Sequence, residues 1–121
     1  MRTAAQPGSS GSVEFRRVYR EGRRFLGTNL VLYVRPTGDR RRVGIAAGRR
    51  FGGAVLRNRA KRRLREAFRR LSGRVQAHGD LVLVARPPAL RAPFDAIVSE
   101  MEALFAAGQV LAEGPSREAR E

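Results

Sequence analysis

The chain of 121 residues contains no cysteine, no tryptophan and a single histidine, His78. The missing thiols exclude disulfides, thiolate zinc sites and cysteine nucleophiles, and they fit a reducing cytoplasm. With one histidine, which we interpret as a surface residue in the turn at 76–80, no transition-metal site is expected. The acidic residues are scattered, without a pair placed for general acid–base chemistry. The sequence therefore predicts no catalytic residues in this chain.

Long hydrophobic runs are also absent from the sequence. No segment approaches the 18 apolar residues of a transmembrane helix, and the first residues lack the apolar region of a secretory signal. We therefore expect a cytoplasmic protein with no membrane partner and no obligate protein partner. The length supports one domain, predicted at 12–112, between a disordered tail at 1–11 and a frayed tail at 113–121.

Positive charge is the feature that the chain has in excess. It carries 25 basic residues, of which only Lys61 is a lysine, and its formal net charge is +14. The segment 54–70 holds eight basic residues against the single carboxylate of Glu66. Burying unpaired cations costs several kcal/mol or more, so this segment is predicted to lie on the surface. Such a surface suits a polyanion, and nucleic acid is the first candidate.

The same segment has the spacing of an amphipathic helix. Apolar residues recur at intervals of three and four, which marks one helical face. Arg57, Lys61 and Arg65 follow one another every four residues, so that a ladder of cations with steps of roughly 6 Å is expected. A solvated cationic face without a ligand is the alternative interpretation. The apolar positions are Leu56, Ala60, Leu64, Ala67, Phe68 and Leu71.

The remaining patterns predict an α+β domain, a two-layer sandwich with the element order α-β-β-α-β-α around a central sheet. A first helix, capped by Ser12 and with Glu14 in its first turn, is expected to run to about Glu21 and to be ended by Gly22. Strands are predicted at 29–35, at 41–47 (antiparallel to the first) and at 81–86, the last covered on both faces. Helices are predicted at 54–71 and at about 93–110. The strand–basic helix–strand portion should be a parallel unit, for which general statistics favour a right-handed crossover.

Four aromatic residues near the basic surface are candidates for stacking on single-stranded RNA: Phe15, Tyr19, Tyr33 and Phe51. Tyr33 is the first of them, because its strand parity sets it opposite Leu32 and Val34. Core packing is the alternative for Phe15 and Tyr19.

The motifs around the basic helix resemble those of the bacterial ribonuclease P protein component family. The resemblance centres on Arg57-Asn58-Arg59, followed by Lys61-Arg62, and it extends over roughly residues 14–105. Supporting segments are 42–45 and 49–52 before the helix, 14–22 at the first helix, 30–33 at the first strand and 80–87 at the last. One departure is Ala46-Ala47-Gly48-Arg49-Arg50, where members usually carry Ser-x-Ser-Lys-Lys.

This resemblance implies a ribonucleoprotein that removes the 5′ leader of precursor tRNA. The RNA subunit would perform the hydrolysis with Mg²⁺ that it mainly holds itself, and the protein alone would bind no ion tightly. The protein would bind both the ribonuclease P RNA and the precursor tRNA, and Phe15, Tyr19 and Tyr33 would line the cleft for the leader. The family also implies a left-handed β-α-β crossover around the basic helix. The residues expected to contact RNA are Arg49, Arg50, Arg57, Asn58, Arg59, Lys61, Arg62, Arg65 and Arg69.

Two other classes of protein fit the composition. A small structural RNA-binding protein, of the ribosomal or RNA-chaperone type, would explain the charge but not the spacing around Asn58. A DNA-compacting or anionic-lipid-binding protein could use the helix as a basic amphipathic surface. Binding that weakens with salt is expected of all three classes of protein. Stimulation of leader cleavage is expected only of a ribonuclease P protein.

Overall fold

A computed structural model describes residues 13–38, 40–76 and 78–112, so the tails predicted at 1–11 and 113–121 lie outside the described residues. Two short 3-10 turns, Ser72–Arg74 and Pro87–Leu90, accompany three helices and four strands in the described ranges. In chain order the helices and strands are α1 Phe15–Glu21, β1 Arg23–Leu26, β2 Leu30–Pro36, β3 Arg42–Ala47, α2 Ala54–Leu71, β4 Gly79–Ala85 and α3 Phe94–Ala107.

The four strands form one sheet in the order β1-β2-β4-β3. β4 is antiparallel to β2 and parallel to β3, so the parallel unit predicted around the basic helix is confirmed. β2 and β3 run in opposite directions as expected, but they are not neighbours, because β4 lies between them. The almost fully buried β4 takes the central position, where both of its faces and both of its edges are covered. The α+β class is confirmed, with one strand more than predicted.

The additional strand, β1, pairs with β2 at the edge of the sheet. Its four residues comprise two arginines and two apolar residues, a segment too short to give a clear strand signal, so the sequence analysis missed it. Arg24 lies opposite Tyr33 and Leu26 lies opposite Val31. This register brings β1 beside the aromatic residue that the sequence singled out.

The two faces of the sheet carry different helices. One face packs against α2 and α3 and forms the main core. Its buried strand residues include Leu32 on β2 and Leu83 on β4. The other face holds Tyr33 and Val82 and is covered in part by α1, through Val18. Because alternate residues of a strand point to opposite sides, α1 lies across the sheet from the two longer helices.

Several element ends differ from their predictions. α1 begins at Phe15, so that Glu14 is its N-cap, without a side-chain capping bond, rather than a residue of its first turn, while Gly22 ends it as expected. Ser12 itself lies outside the described residues. α2 has the predicted bounds, and α3 is shorter than predicted and is capped by Gly108. The hand of the β3-α2-β4 crossover stays a prediction.

Candidate nucleic-acid interface

The basic residues of α2 divide into two groups, and the first group has structural partners. The guanidinium of Arg63 donates to the carbonyl oxygens of Ala89 at 2.7 Å and Ala92 at 2.8 Å. The guanidinium of Arg70 lies 4.9 Å from the ring centroid of Phe94. Both contacts lie on the flank of α2 that faces the turn Pro87–Leu90 and the start of α3. These two cations therefore hold the helix in the fold.

The second group presents its donors to solvent. Arg57, Lys61 and Arg65 lie one turn apart along the opposite flank and make no side-chain hydrogen bond or ion pair with any residue that the structure describes. The same holds, within the described ranges, for three further residues of the exposed side: Asn58, Arg59 and Arg62. Arg69 differs, because it pairs with Glu66 at 3.1 Å. Apart from Arg69, the residues of this surface can therefore accept an anion without breaking existing contacts.

The loop before α2 adds two more cations to this surface. Arg49 and Arg50 are exposed and have no side-chain partner among the described residues. Phe51, next to them, is only 4% exposed and belongs to the main core. Its ring therefore anchors the loop and is not available for stacking on a base. The loop turns into α2 through Gly52, whose φ of +87° is a conformation that side-chain-bearing residues rarely adopt.

On the other face of the sheet, three aromatic side chains form a continuous group. The ring of Tyr19 lies 4.9 Å from that of Tyr33 in an edge-on arrangement and 6.3 Å from that of Phe15. Tyr19 is 40% exposed, so part of its ring faces solvent. We call Phe15, Tyr19 and Tyr33 the aromatic cleft. The structure thus brings together all three residues that the sequence analysis assigned to it.

A glycine permits this arrangement. Gly44 lies across β4 from Tyr33, and a Cβ atom at this position would come within 2.7 Å of the Phe15 ring. The ring of Phe15 therefore rests directly on the backbone of β3, and partial burial of Phe15 and Tyr33 leaves one side of each accessible. The group combines aromatic ring faces with two tyrosine hydroxyls, and Arg16, Arg17 and Arg20 belong to the same helix as Phe15 and Tyr19.

The environment of Tyr19 changes its acidity. Burial raises the pKa of the Tyr19 hydroxyl above its ordinary value of 10.0, and the neighbouring Tyr33 raises it further. The hydroxyl is therefore neutral at physiological pH, where it can donate a hydrogen bond. A neutral aromatic ring with a polar edge suits stacking against a nucleobase.

Leu26 on β1 is a residue of this region that the sequence analysis missed. It is 61% exposed and points to the same face as Tyr33, one cross-strand row away. The missed strand explains the omission, because only the register of β1 brings Leu26 next to the cleft. An apolar side chain this exposed extends the surface on which bases could rest.

Two further features bear on the kind of site. Within the part of the chain that the structure describes, no three histidine, cysteine or acidic side chains come together as a metal-binding group. His78 is exposed directly before β4, as predicted. No described helix is long and apolar enough to cross a membrane.

Comparison with known proteins gives one consistent family. The family model described as Ribonuclease P matches residues 10–108. The ribonuclease P protein component of Symbiobacterium thermophilum is 46% identical over 93 residues, which are 75% of this chain and 81% of the relative. That of Chloroflexus aurantiacus is 46% identical over 94 residues, covering 76% of this chain and 70% of the relative.

Solved structures agree with the sequence comparison. The structure of the Staphylococcus aureus RNase P protein superimposes with a TM-score of 0.69 and 29% identity, covering 81% of this chain and 91% of that one. The RNase P protein from Thermotoga maritima gives a TM-score of 0.68 and 30% identity, covering 78% of this chain and 90% of that one. The architecture described above is therefore shared with these proteins.

Proposed function

This chain belongs to the bacterial ribonuclease P protein component family, and from that premise we propose that it binds the catalytic RNA of ribonuclease P and the 5′ leader of precursor tRNA. In this role it assists the endonucleolytic removal of the leader. The family is that of the protein component of a tRNA-processing endoribonuclease. We place the complex in the cytoplasm, with no membrane and no obligate protein partner.

The observation that carries the proposal is the separation of two unlike surfaces. The unpaired cations of α2 and of the preceding loop offer donors to phosphates, which is what a folded RNA presents. The aromatic cleft lies across the sheet and offers ring faces, which only unpaired bases can use. One small domain could thus hold a structured RNA on one side and a single strand on the other.

The residues of the first surface act by positioning. The guanidinium groups of Arg57, Arg62 and Arg65 can each bind a phosphate through two parallel hydrogen bonds. The positively charged surface is extended by Arg49, Arg50, Arg59 and Lys61. The side-chain amide of Asn58 adds a neutral hydrogen-bond donor. Arg69 would contact RNA by exchanging its bond to Glu66 for a phosphate. These contacts fix the RNA without taking part in bond cleavage.

The hydrolytic chemistry is assigned to the RNA subunit. Mg²⁺ bound there would activate the attacking water and stabilise the leaving oxygen. The described residues bring no three acidic or histidine side chains together, and we propose that the protein alone binds no ion tightly. We therefore propose no catalytic residue in the chain, and the protein's part is to bind, orient and neutralise charge.

Cleavage of a precursor tRNA by the cognate ribonuclease P RNA tests this proposal. At low Mg²⁺, correct 5′ maturation is expected only when both the RNA and the protein are present. At high Mg²⁺ the RNA alone should cleave, which verifies that it is folded. If the folded protein gives no stimulation with an active RNA, the chain acts instead as a structural RNA-binding protein.

A further inference from the structure

A chain of alternating charges connects α1 to three strands of the sheet. Glu21, the last residue of α1, accepts hydrogen bonds from Nε of Arg17 at 3.3 Å and from Nε of Arg35 at 3.1 Å. Arg35 on β2 also donates through Nη1 to Oδ2 of Asp80 at 3.1 Å. Oδ1 of Asp80 on β4 accepts from Nε of Arg42 on β3 at 2.8 Å. We call these five residues the charge chain.

The charge chain follows one row across the sheet. Arg35 and Arg42 lie directly opposite Asp80 in the strand registers, on the face that carries the aromatic cleft. Asp80 is only 1% exposed, and its two oxygens each have a guanidinium partner, which is the condition under which a buried carboxylate is tolerated. The buried end of the charge chain, at Asp80, is therefore fixed to the sheet.

Arg35 connects the buried Asp80 to α1. Its rigid planar guanidinium binds Asp80 with one nitrogen and Glu21 with another, so the two carboxylates are held at a set separation. These bonds lower the pKa of Glu21 and raise that of Arg35, so that both groups stay charged in neutral solution. The last turn of α1 is thereby tied to the central strand through one side chain.

The position of α1 depends on side-chain contacts of this kind with the sheet. It has only seven residues and no side-chain cap, and helices of this length do not persist alone in water. Val18 is its one fully buried side chain, and Phe15 packs beside it on the sheet while half-buried. Tyr19 is 40% exposed, so apolar packing restrains the last turn of α1 less than its first turn. Since Tyr19 lies two residues before Glu21, the orientation of Glu21 and that of the Tyr19 ring are set together.

We infer that Glu21 is a positioning residue for leader binding, which acts through Arg35 and Asp80 to hold the ring of Tyr19 against Tyr33. This inference rests on the proposed function, because it assigns a role within the aromatic cleft. The role differs from general stabilisation, since the surface that binds the catalytic RNA lies on other elements. Loss of Glu21 should therefore affect the two RNA ligands unequally.

The test compares Glu21→Ala with Glu14→Ala in the reconstituted holoenzyme. Both variants remove one carboxylate from the exposed side of the first helix region, and both carboxylates lie near Arg17, but Glu14 has no bond to the sheet among the described residues. Glu21→Ala is expected to reduce the preference for leader-bearing over leaderless precursor tRNA about two- to fivefold. Glu14→Ala should leave this preference unchanged, and neither variant should weaken binding to the ribonuclease P RNA.

Tyrosine spectroscopy supplies a readout that is independent of RNA. The chain has two tyrosines, Tyr19 and Tyr33, and no tryptophan, so its near-ultraviolet circular dichroism near 280 nm reports on this pair. Glu21→Ala should diminish that signal, whereas Glu14→Ala should not. Glu21→Gln keeps an oxygen that can accept from Arg35 and should recover part of both the signal and the leader preference.

Tyr33→Ala separates failure of this inference from failure of the proposed function. If Tyr33→Ala lowers the leader preference and Glu21→Ala behaves like Glu14→Ala, the apolar contacts of Val18 and Phe15 suffice and Glu21 does not position the cleft. If Tyr33→Ala leaves the leader preference unchanged, the cleft does not bind the leader and the proposed function is wrong on this point. An equal loss of catalytic-RNA binding and leader preference in Glu21→Ala would also overturn the inference, because it would indicate general destabilisation.

Discussion

The guanidinium of Arg63 lies 2.7 Å from the carbonyl oxygen of Ala89, so this arginine of the basic helix joins α2 to the turn Pro87–Leu90. Its neighbour Arg62 is exposed and has no side-chain partner among the described residues. Two adjacent residues of equal charge thus have different surroundings. Charge density alone would not distinguish them, whereas their positions around the helix do.

Substitution of this pair tests the division. Arg63→Ala should lower the free energy of unfolding by about 1–2 kcal/mol, because two carbonyl acceptors lose a charged donor. Arg62→Ala should change stability by less than about 0.5 kcal/mol but weaken binding to the ribonuclease P RNA and make the salt dependence of that binding less steep. Urea unfolding and binding titrations over a range of salt concentrations measure the two effects. A reversed pattern would contradict the assignment.

The two proposed RNA surfaces can be separated by their ligands. Tyr33→Ala should lower the preference for leader-bearing over leaderless precursor tRNA by about fivefold or more, since stacking contributes about 1–3 kcal/mol per base. Arg65→Ala should weaken binding to the catalytic RNA and leave that preference unchanged. Equilibrium binding of both precursors to each reconstituted holoenzyme gives the ratio. An unchanged ratio in Tyr33→Ala would contradict the cleft assignment.

The local periodicity of the sequence accounts for the elements that were predicted well. α2 has the predicted bounds because its apolar and basic residues alternate with a helical period over its whole length. β4 was recognised because it is apolar on both faces. The aromatic cleft was anticipated from a family resemblance and from the strand parity of Tyr33, and the structure brings its three members together.

Long-range relationships could not be read from the sequence. The insertion of β4 between β2 and β3 depends on pairing between distant segments, and β1 is too short for its pattern to be decisive. The partners of Asp80 are 45 and 38 residues away along the chain. Likewise, Glu100 on α3 accepts hydrogen bonds from the backbone and side chain of Asn29 at 2.9 and 2.8 Å. Such pairs follow from topology, which local patterns do not contain.

The close approach of Phe15 to β3 leads to a steric prediction. Gly44→Ala would place a methyl group within 2.7 Å of the Phe15 ring, so the ring must move away from the sheet. We expect a reduced leader preference with catalytic-RNA binding retained. Gly73→Ala is the control, because nothing lies within 4 Å of its Cβ position. Equal leader preferences in the two variants would show that the position of Phe15 is unimportant for leader binding.

The tyrosine pair allows a direct titration. In Tyr33→Phe the only remaining tyrosine is Tyr19, whose ionisation can be followed by absorbance at 295 nm. Burial is the larger cause of its raised pKa and Tyr33 the smaller. The pKa should therefore fall relative to wild type but stay above 10.0. A value at or below that ordinary one would mean that the Tyr19 ring is more open to solvent than the structure indicates.

The bond between Arg35 and Glu21 predicts how stability depends on acidity. Hydrogen bonds from Arg35 and then Arg17 hold the pKa of Glu21 below its ordinary value of 4.5. A carboxyl group whose pKa is lower in the folded than in the unfolded state stabilises the fold above the unfolded pKa. Its contribution is therefore complete above about pH 4.5 and is lost as the pH falls through the lower, folded value.

Glu21→Gln isolates this contribution, because glutamine does not titrate. Wild type should be more stable than Glu21→Gln at about pH 6, and the difference in unfolding free energy should shrink below about pH 4.5, since a protonated Glu21 is as neutral as the glutamine that replaces it. Urea unfolding of both proteins measures that difference, from neutral pH down to the lowest pH at which the protein is still folded without urea. A stability difference for Glu21→Gln that does not change with pH would mean that the Arg35 bond does not depend on the charge of Glu21.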